Sequence, residues 1–337
     1  MQYRTLGRTG IQVSSYALGT LMLATTMGNA PEDSARIIGK ALDAGINFID
    51  TADAYGDSEE VVGKALEGRR DDVVLATKFS RPTGQDPNHQ GASRRWIVTA
   101  AENSLRRLRT DYIDLYQLHR PDPRTDIEET LSALTDLIRG GKVRAIGASQ
   151  TPASDIIEAQ WVAERRCLTR FHTEQPAYSI LSRGVEREIL PVTQRFGMGT
   201  LVWGPLGQGL LTGRVRKNQH NDLRRAGLMR HLGDERRLDV VERLIPLAEE
   251  AGLPMTHLAM AFTIAHPGVT SALLGPRTMD HLDGLLAGLD LSLTDDILGR
   301  IDEIVPPGTD VGTLDQAYQP PALADPSLRR RPAGNKG

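Results

Sequence analysis

The sequence predicts one closed (β/α)8 barrel, an α/β fold in which all eight strands run parallel. Three observations predict it. Short β-branched, apolar runs alternate with amphipathic stretches almost from end to end, and that alternation calls for a parallel sheet. Such units number eight, which is the number that closes a barrel. The 337 residues suffice for one barrel or for two ordinary domains, and no linker-like stretch divides them.

The elements follow in order. Residues 2–6 and 11–14 flank Gly7-Arg8-Thr9-Gly10 and read as a β-hairpin ahead of the barrel. Strands are expected at 16–20, 46–50, 73–78, 112–119, 143–149, 171–175, 200–203 and 269–275. Helices are expected at 33–44, 58–66, 94–108, 127–139, 154–166, 185–196, 237–251 and 278–289. Gly45 suits the end of the first helix, since a left-handed residue there is least strained as glycine. Ser58 reads as the N-cap of the second, with Glu60 in its first turn. Two long polar loops, 80–93 and 204–235, have lengths typical of lids or binding loops. The barrel is expected to occupy 1–305. A Pro-rich tail, 306–337, with Pro306-Pro307, Pro320-Pro321, Pro326, Pro332 and Arg329-Arg330-Arg331, reads as irregular and solvated.

Composition narrows the function. Charged residues are 25% and the net charge is −3, so there is no basic footprint for nucleic acid. The single cysteine, Cys167, cannot form an internal disulfide, which fits a reducing cytoplasm. The first residues lack an apolar signal core, and no apolar run approaches the ~18 residues of a membrane span. No histidine–cysteine spacing fits zinc, so no metal is expected.

Barrels of this kind carry their chemistry at the C-terminal strand ends. Those ends read Asp50, Lys78, His119, Ser149, Gln175, Trp203 and Gly275, with Tyr55 just beyond Asp50. Singly, each has a structural explanation: Asp50 as a turn cap, His119 as a core histidine, Lys78 reaching for solvent. Their convergence on one rim is not what core packing selects. A tyrosine hydroxyl, with an ordinary pKa of ~10, is a poor proton donor or acceptor near neutrality. An adjacent lysine ammonium favours the phenolate by a raw Coulomb energy of ~4 kcal/mol at ~4 Å and an effective dielectric of 20. Asp50 would keep Lys78 charged, and His119 would hydrogen-bond a bound carbonyl. The set protonates a carbonyl oxygen but offers no attacking group, which a nicotinamide hydride would supply. The G-x-G-x-x-G fingerprint is absent, and 207–213 is one residue too long for it. Trp203 would offer a face to the nicotinamide, and Ser149 with Gln175 a donor and acceptor to its carboxamide. Gly275 and Arg277 open the eighth helix, whose N-terminus favours phosphate.

At these residues the chain resembles the aldo-keto reductase superfamily, over about 3–289. Phe48-Ile49-Asp50-Thr51-Ala52-Asp53-Ala54-Tyr55-Gly56, Ala76-Thr77-Lys78 and Leu115-Tyr116-Gln117-Leu118-His119-Arg120-Pro121-Asp122 match its catalytic segments. Gly147-Ala148-Ser149, Gln175-Pro176-Ala177-Tyr178-Ser179 and Trp203-Gly204-Pro205-Leu206-Gly207-Gln208-Gly209 resemble its cofactor segments. Gly91-Ala92-Ser93-Arg94-Arg95 and the run through His119-Arg120-Pro121-Asp122-Pro123 look most like the branch with potassium-channel β subunits and bacterial stress-type reductases.

The resemblance implies NADPH-dependent reduction of an aldehyde or ketone. Tyr55 would be the proton donor, assisted by Asp50, Lys78 and His119. It assigns cofactor contacts to Gly19, Thr20, Asp50, Ser149, Gln150, Gln175, Trp203, Gly204, Pro205, Leu206, Gln208, Gly209, Arg214, Gly275, Arg277 and His281. It assigns substrate contacts to Leu21, Met22, Tyr55, His119 and Trp203. The partner implied is a small-molecule carbonyl, without nucleic acid or membrane, and a homo-oligomer is compatible. The chain departs from the family pattern in carrying Gln150 for asparagine, and His281 and Leu285 for a glutamine and an asparagine at the adenine end. Arg214 and Arg277 still favour a 2′-phosphate. Two other readings are open to the sequence: a cofactor-binding regulatory module with little turnover, and a Schiff-base aldolase using Lys78. Asp50 opposes the aldolase, because it holds the amine protonated.

Overall fold

The computed structural model describes residues 1–217, 230–314 and 317–328. The hairpin consists of β1 (Tyr3–Thr5) and β2 (Gln12–Ser14), antiparallel, with Thr5 facing Gln12. Then β3 (Tyr16–Gly19), α1 (Pro31–Asp43), β4 (Phe48–Asp50), α2 (Ser58–Ala65), β5 (Val74–Phe79), α3 (Arg94–Leu108), β6 (Ile113–Leu118) and α4 (Ile127–Arg139) complete half of a barrel. The other half is β7 (Val143–Ala148), α5 (Ala153–Arg166), β8 (Thr173–Glu174), α6 (Ile189–Phe196), β9 (Gly199–Val202), α7 (Glu235–Glu250), α8 (Met255–Ala265), β10 (Ser271–Leu274) and α9 (Met279–Leu286). Two helices follow, α10 (Asp295–Ile304) and the short α11 (Pro321–Ala324). The eight strands β3–β10 pair in parallel and close, β10 bonding to both β3 and β9.

The strands are short, and most of their residues are buried on both faces. Residues facing outward, such as Ile49, Phe79, Tyr116 and Ile146, pack against the helices. Residues facing inward are few: Ala17, Phe48, Ala76, Leu115, Ala145 and Leu201 form a small core. The hairpin closes the bottom of that core with Leu6 and Val13. Gly7 makes the close approach: its φ is +58°, and a Cβ there would lie 2.5 Å from the His172 carbonyl oxygen and 2.8 Å from the Gly199 nitrogen. Apolar side chains fill most of the lower half of the barrel, and a layer of polar groups lies at its upper end.

Several local expectations need correction. Helix α1 does end as expected, with Gly45 at φ +91° and paired Gly45 N→Leu42 O (2.9 Å) and Ile46 N→Ala41 O (3.1 Å) bonds. Ser58 is not the cap of α2. That place falls to Asp57, and the Ser58 hydroxyl turns inward to Thr20 Oγ1 at 2.8 Å. Helix α8 lies outside the helices expected from the sequence. Eight of its residues from Met255 to Ile264 are buried, so it shows little polar face to give a helical period. Helix α10 also lies outside them, although Thr294 caps it by accepting from Ile297 N at 3.3 Å. Much of the described tail is exposed, yet it is tied down: Val311 N donates to Leu181 O at 2.9 Å and Arg183 N to Thr309 O at 3.0 Å. The run Arg329-Arg330-Arg331, Pro332 and residues 218–229 of the second long loop lie outside the described residues.

Candidate active site

A layer of polar side chains caps the apolar core at the C-terminal end of the strands. Asp50 ends β4, and Lys78 lies near the end of β5. Their side chains form a buried ion pair through Lys78 Nζ and Asp50 Oδ1. Lys78 Nζ also donates to Thr51 O at 2.9 Å. The second oxygen, Asp50 Oδ2, accepts from Gln117 Nε2 at 3.0 Å and Gln175 Nε2 at 2.9 Å. A buried carboxylate is tolerated only when its lone pairs are met, and these donors meet them. Burial works to lower the Lys78 pKa, but the Asp50 carboxylate and Tyr55 hold it above the ordinary lysine value.

Tyr55 stands over this pair on the loop after β4. Lys78 Nζ is 5.3 Å from the centre of its ring. The His119 ring meets it edge-on, with centroids 5.5 Å apart. His119 is nearly buried, and burial, followed by the charges of Lys78, Arg120 and Arg81, holds its pKa well below the ordinary value. The imidazole is therefore neutral at pH 7. Four residues read from the sequence as one cluster are one cluster in space.

The proposed dinucleotide residues fall into three groups. Arg214, Arg277 and His281 gather at the start of α9. Arg214 Nη1 is 3.0 Å from His281 Nε2, and burial and then the two arginine charges lower the histidine pKa. Leu285 lies buried in the core. Trp203 follows β9, bonded into the rim through its backbone N to Pro176 O at 3.1 Å, with its indole Nε1 buried and without a hydrogen-bond partner. After it come Gly204, Pro205, Leu206, Gln208 and Gly209; Gly204, Gln208 and Gly209 all have positive φ, so the segment curls tightly. Gln208 Oε1 is also buried without a partner.

In the third group the side chains are already engaged. The Thr20 hydroxyl, next to Gly19, donates to Asp50 O at 3.1 Å. The Ser149 hydroxyl donates to Gln175 O at 2.9 Å, and the Gln175 amide goes to Asp50. Gln150, at φ +57°, accepts from Tyr318 N of the tail at 2.6 Å. The side chain one methylene longer than asparagine thus engages the tail. Leu21 and Met22 lie on the loop after β3, with Leu21 exposed at the rim, and Gly275 is exposed beyond β10.

Sequence reasoning missed Gln117. Its signal was present: it is a polar residue inside an apolar strand, two positions before His119 and therefore on the same face. Register then places it beside Lys78.

Dinucleotide chemistry fits the residues present. The orphaned Trp203 Nε1 and Gln208 Oε1 line a curled segment at the mouth, and a cationic cluster at α9 stands ready for phosphate.

A buried Lys–Asp pair beneath a tyrosine and a neutral histidine, at the C-terminal mouth of a (β/α)8 barrel, defines a carbonyl-active oxidoreductase. The chain belongs to the aldo/keto reductase family, whose model matches residues 16–306. It is 38% identical over 334 residues to the uncharacterized oxidoreductase YrpG of Bacillus subtilis, covering 94% of this chain and 99% of that protein. A probable voltage-gated potassium channel subunit beta of Oryza sativa subsp. japonica is 36% identical, covering 90% of this chain and 97% of its own. The aldo-keto reductase YhdN of Bacillus subtilis is 38% identical, with 85% and 88% covered. Among the described residues no helix is long and apolar enough to cross a membrane.

Proposed function

We propose that the chain reduces an aldehyde or ketone to the alcohol using NADPH, with Tyr55 as the proton donor. The observation that carries this reading is the stacked order of Asp50, Lys78 and Tyr55 beside a neutral His119. A bound reduced nicotinamide would supply the hydride. Tyr55 gives its proton to the carbonyl oxygen, and the Lys78 ammonium stabilises the phenolate left behind. Asp50 keeps Lys78 charged where burial alone would strip its proton. His119, neutral, hydrogen-bonds the carbonyl and fixes its direction toward Tyr55. Trp203 would hold the nicotinamide face. Arg214 and Arg277 would take a 2′-phosphate, which favours NADPH over NADH.

The test is a panel of carbonyls assayed with saturating NADPH and NADH side by side. Turnover with NADPH preferred supports the reading. Equal use of the two cofactors removes the 2′-phosphate role of Arg214 and Arg277.

A second reading rests on the 36% identity to a protein described as a channel subunit. There the chain would hold the cofactor as a regulatory module with little turnover. Tight NADPH binding with negligible activity across the panel would select it.

A further inference from the structure

Two arginines stand beside the proposed proton donor, on the loops that follow β5 and β6. Strands β5 and β6 pair Lys78 with Gln117 and Phe79 with Leu118. The pairing continues past the strands: His119 N donates to Phe79 O at 2.8 Å. The Ser80 hydroxyl then donates to Arg120 O and accepts from Arg120 N, both at 3.0 Å. Ser80 adopts φ +95°, a conformation that a non-glycine residue keeps only when its surroundings enforce it. This clamp sets Arg81 and Arg120 next to one another and next to His119.

Their charges act on the site. Both lower the His119 pKa, and Arg120 also interacts with Tyr55. Burial and the nearby Arg81 push Arg120 down to about 10. Arg81 is exposed and makes no hydrogen bond or ion pair among the described residues. Among the acids near the pair, Glu174 acts on Arg120 and Asp53 interacts with Arg81. Burial pushes each up to about 8, which favours their neutral forms. Asp122, two residues on, is committed to Ala92 N, Thr125 and Arg124. In the closed order β10-β3-β4-β5-β6-β7-β8-β9, strands β5 and β6 lie opposite β9 and β10. Trp203, Arg214 and Arg277 follow those opposite strands, across the mouth from Arg81 and Arg120, while Asp50 and Ser149 follow the neighbouring β4 and β7. Guanidinium groups match carboxylate and phosphate oxygens in fork geometry.

We propose that the carbonyl substrate carries an anionic group, a carboxylate or a phosphate, that Arg81 and Arg120 receive while its carbonyl lies between Tyr55 and His119. This rests on the reduction proposed above. The experiment compares matched aldehydes at saturating NADPH: 4-carboxybenzaldehyde against benzaldehyde, and glyceraldehyde 3-phosphate against glyceraldehyde. The anionic member of at least one pair should show a kcat/KM higher by about tenfold or more, falling with added salt. The pair with the larger ratio identifies the anion.

Arg81→Ala should bring the ratio toward unity and Arg81→Glu below it. Arg81 is exposed, so both variants are expected to fold. Ratios near unity in the unsubstituted protein, or a ratio untouched by Arg81→Glu, would overturn the proposal. Calorimetric binding of benzoate to the NADP+-saturated protein gives a readout without turnover, and Arg81→Glu should weaken it about tenfold. Benzoate binding lost in Arg81→Glu, without any carbonyl turnover, supports the anion site and contradicts the reduction. Turnover of neutral aldehydes without benzoate binding contradicts the anion site alone.

Discussion

Lys78 Nζ and Asp50 Oδ1, on neighbouring strands, form an ion pair that is almost wholly withdrawn from solvent. Removing one partner leaves a buried charge unmet. Asp50→Leu is therefore expected to destabilise the fold by about 3–5 kcal/mol. The double change Asp50→Leu/Lys78→Met should recover most of that loss, because no charge remains buried. Denaturant unfolding of the three proteins measures this. A double variant no more stable than the single one would show that packing, not charge, dominates there.

Asp53 lies two residues before Tyr55, and burial, with the Glu59 charge nearby, pushes it up to about 8. Its pKa is raised on folding, so between about pH 4 and pH 8 the folded state holds a proton that the unfolded state has lost. Stability falls as pH rises through that window and levels off above it. Asp53→Asn should thus raise the melting temperature, and by more at pH 9 than at pH 5. Equal gains at both pH values would place Asp53 in contact with water.

Gly7 seats the hairpin against the barrel floor. Gly7→Ala adds a methyl at a positive φ and within 2.8 Å of backbone atoms of His172 and Gly199. Backbone atoms yield little, so the variant should lose at least about 1–3 kcal/mol, seen as a lowered denaturation midpoint. Wild-type stability would mean that the hairpin can shift without cost.

The barrel was legible because parallel strands buried on both faces produce apolar runs at regular spacing. The tetrad was legible because Asp50, Lys78 and His119 each break such a run at its end. Helix α8 was not, since a helix with eight of its eleven residues buried has little polar face to mark its period. Gln117 and Gln175 show the same limit in the site. Their types could be read, but their common partner, Asp50 Oδ2, lies 67 and 125 residues away in sequence and depends on strand register. The tie between Gln150 and Tyr318 spans 168 residues and had no local sign at all.

The most direct test is the Tyr55→Phe variant. It keeps the ring that meets Lys78 and His119 and removes only the hydroxyl. NADPH binding, followed by quenching of protein fluorescence, should stay at the unsubstituted value. Carbonyl-dependent oxidation of NADPH should fall by about 10²–10⁴-fold. Unchanged turnover in that variant would contradict the assignment of Tyr55 as the proton donor.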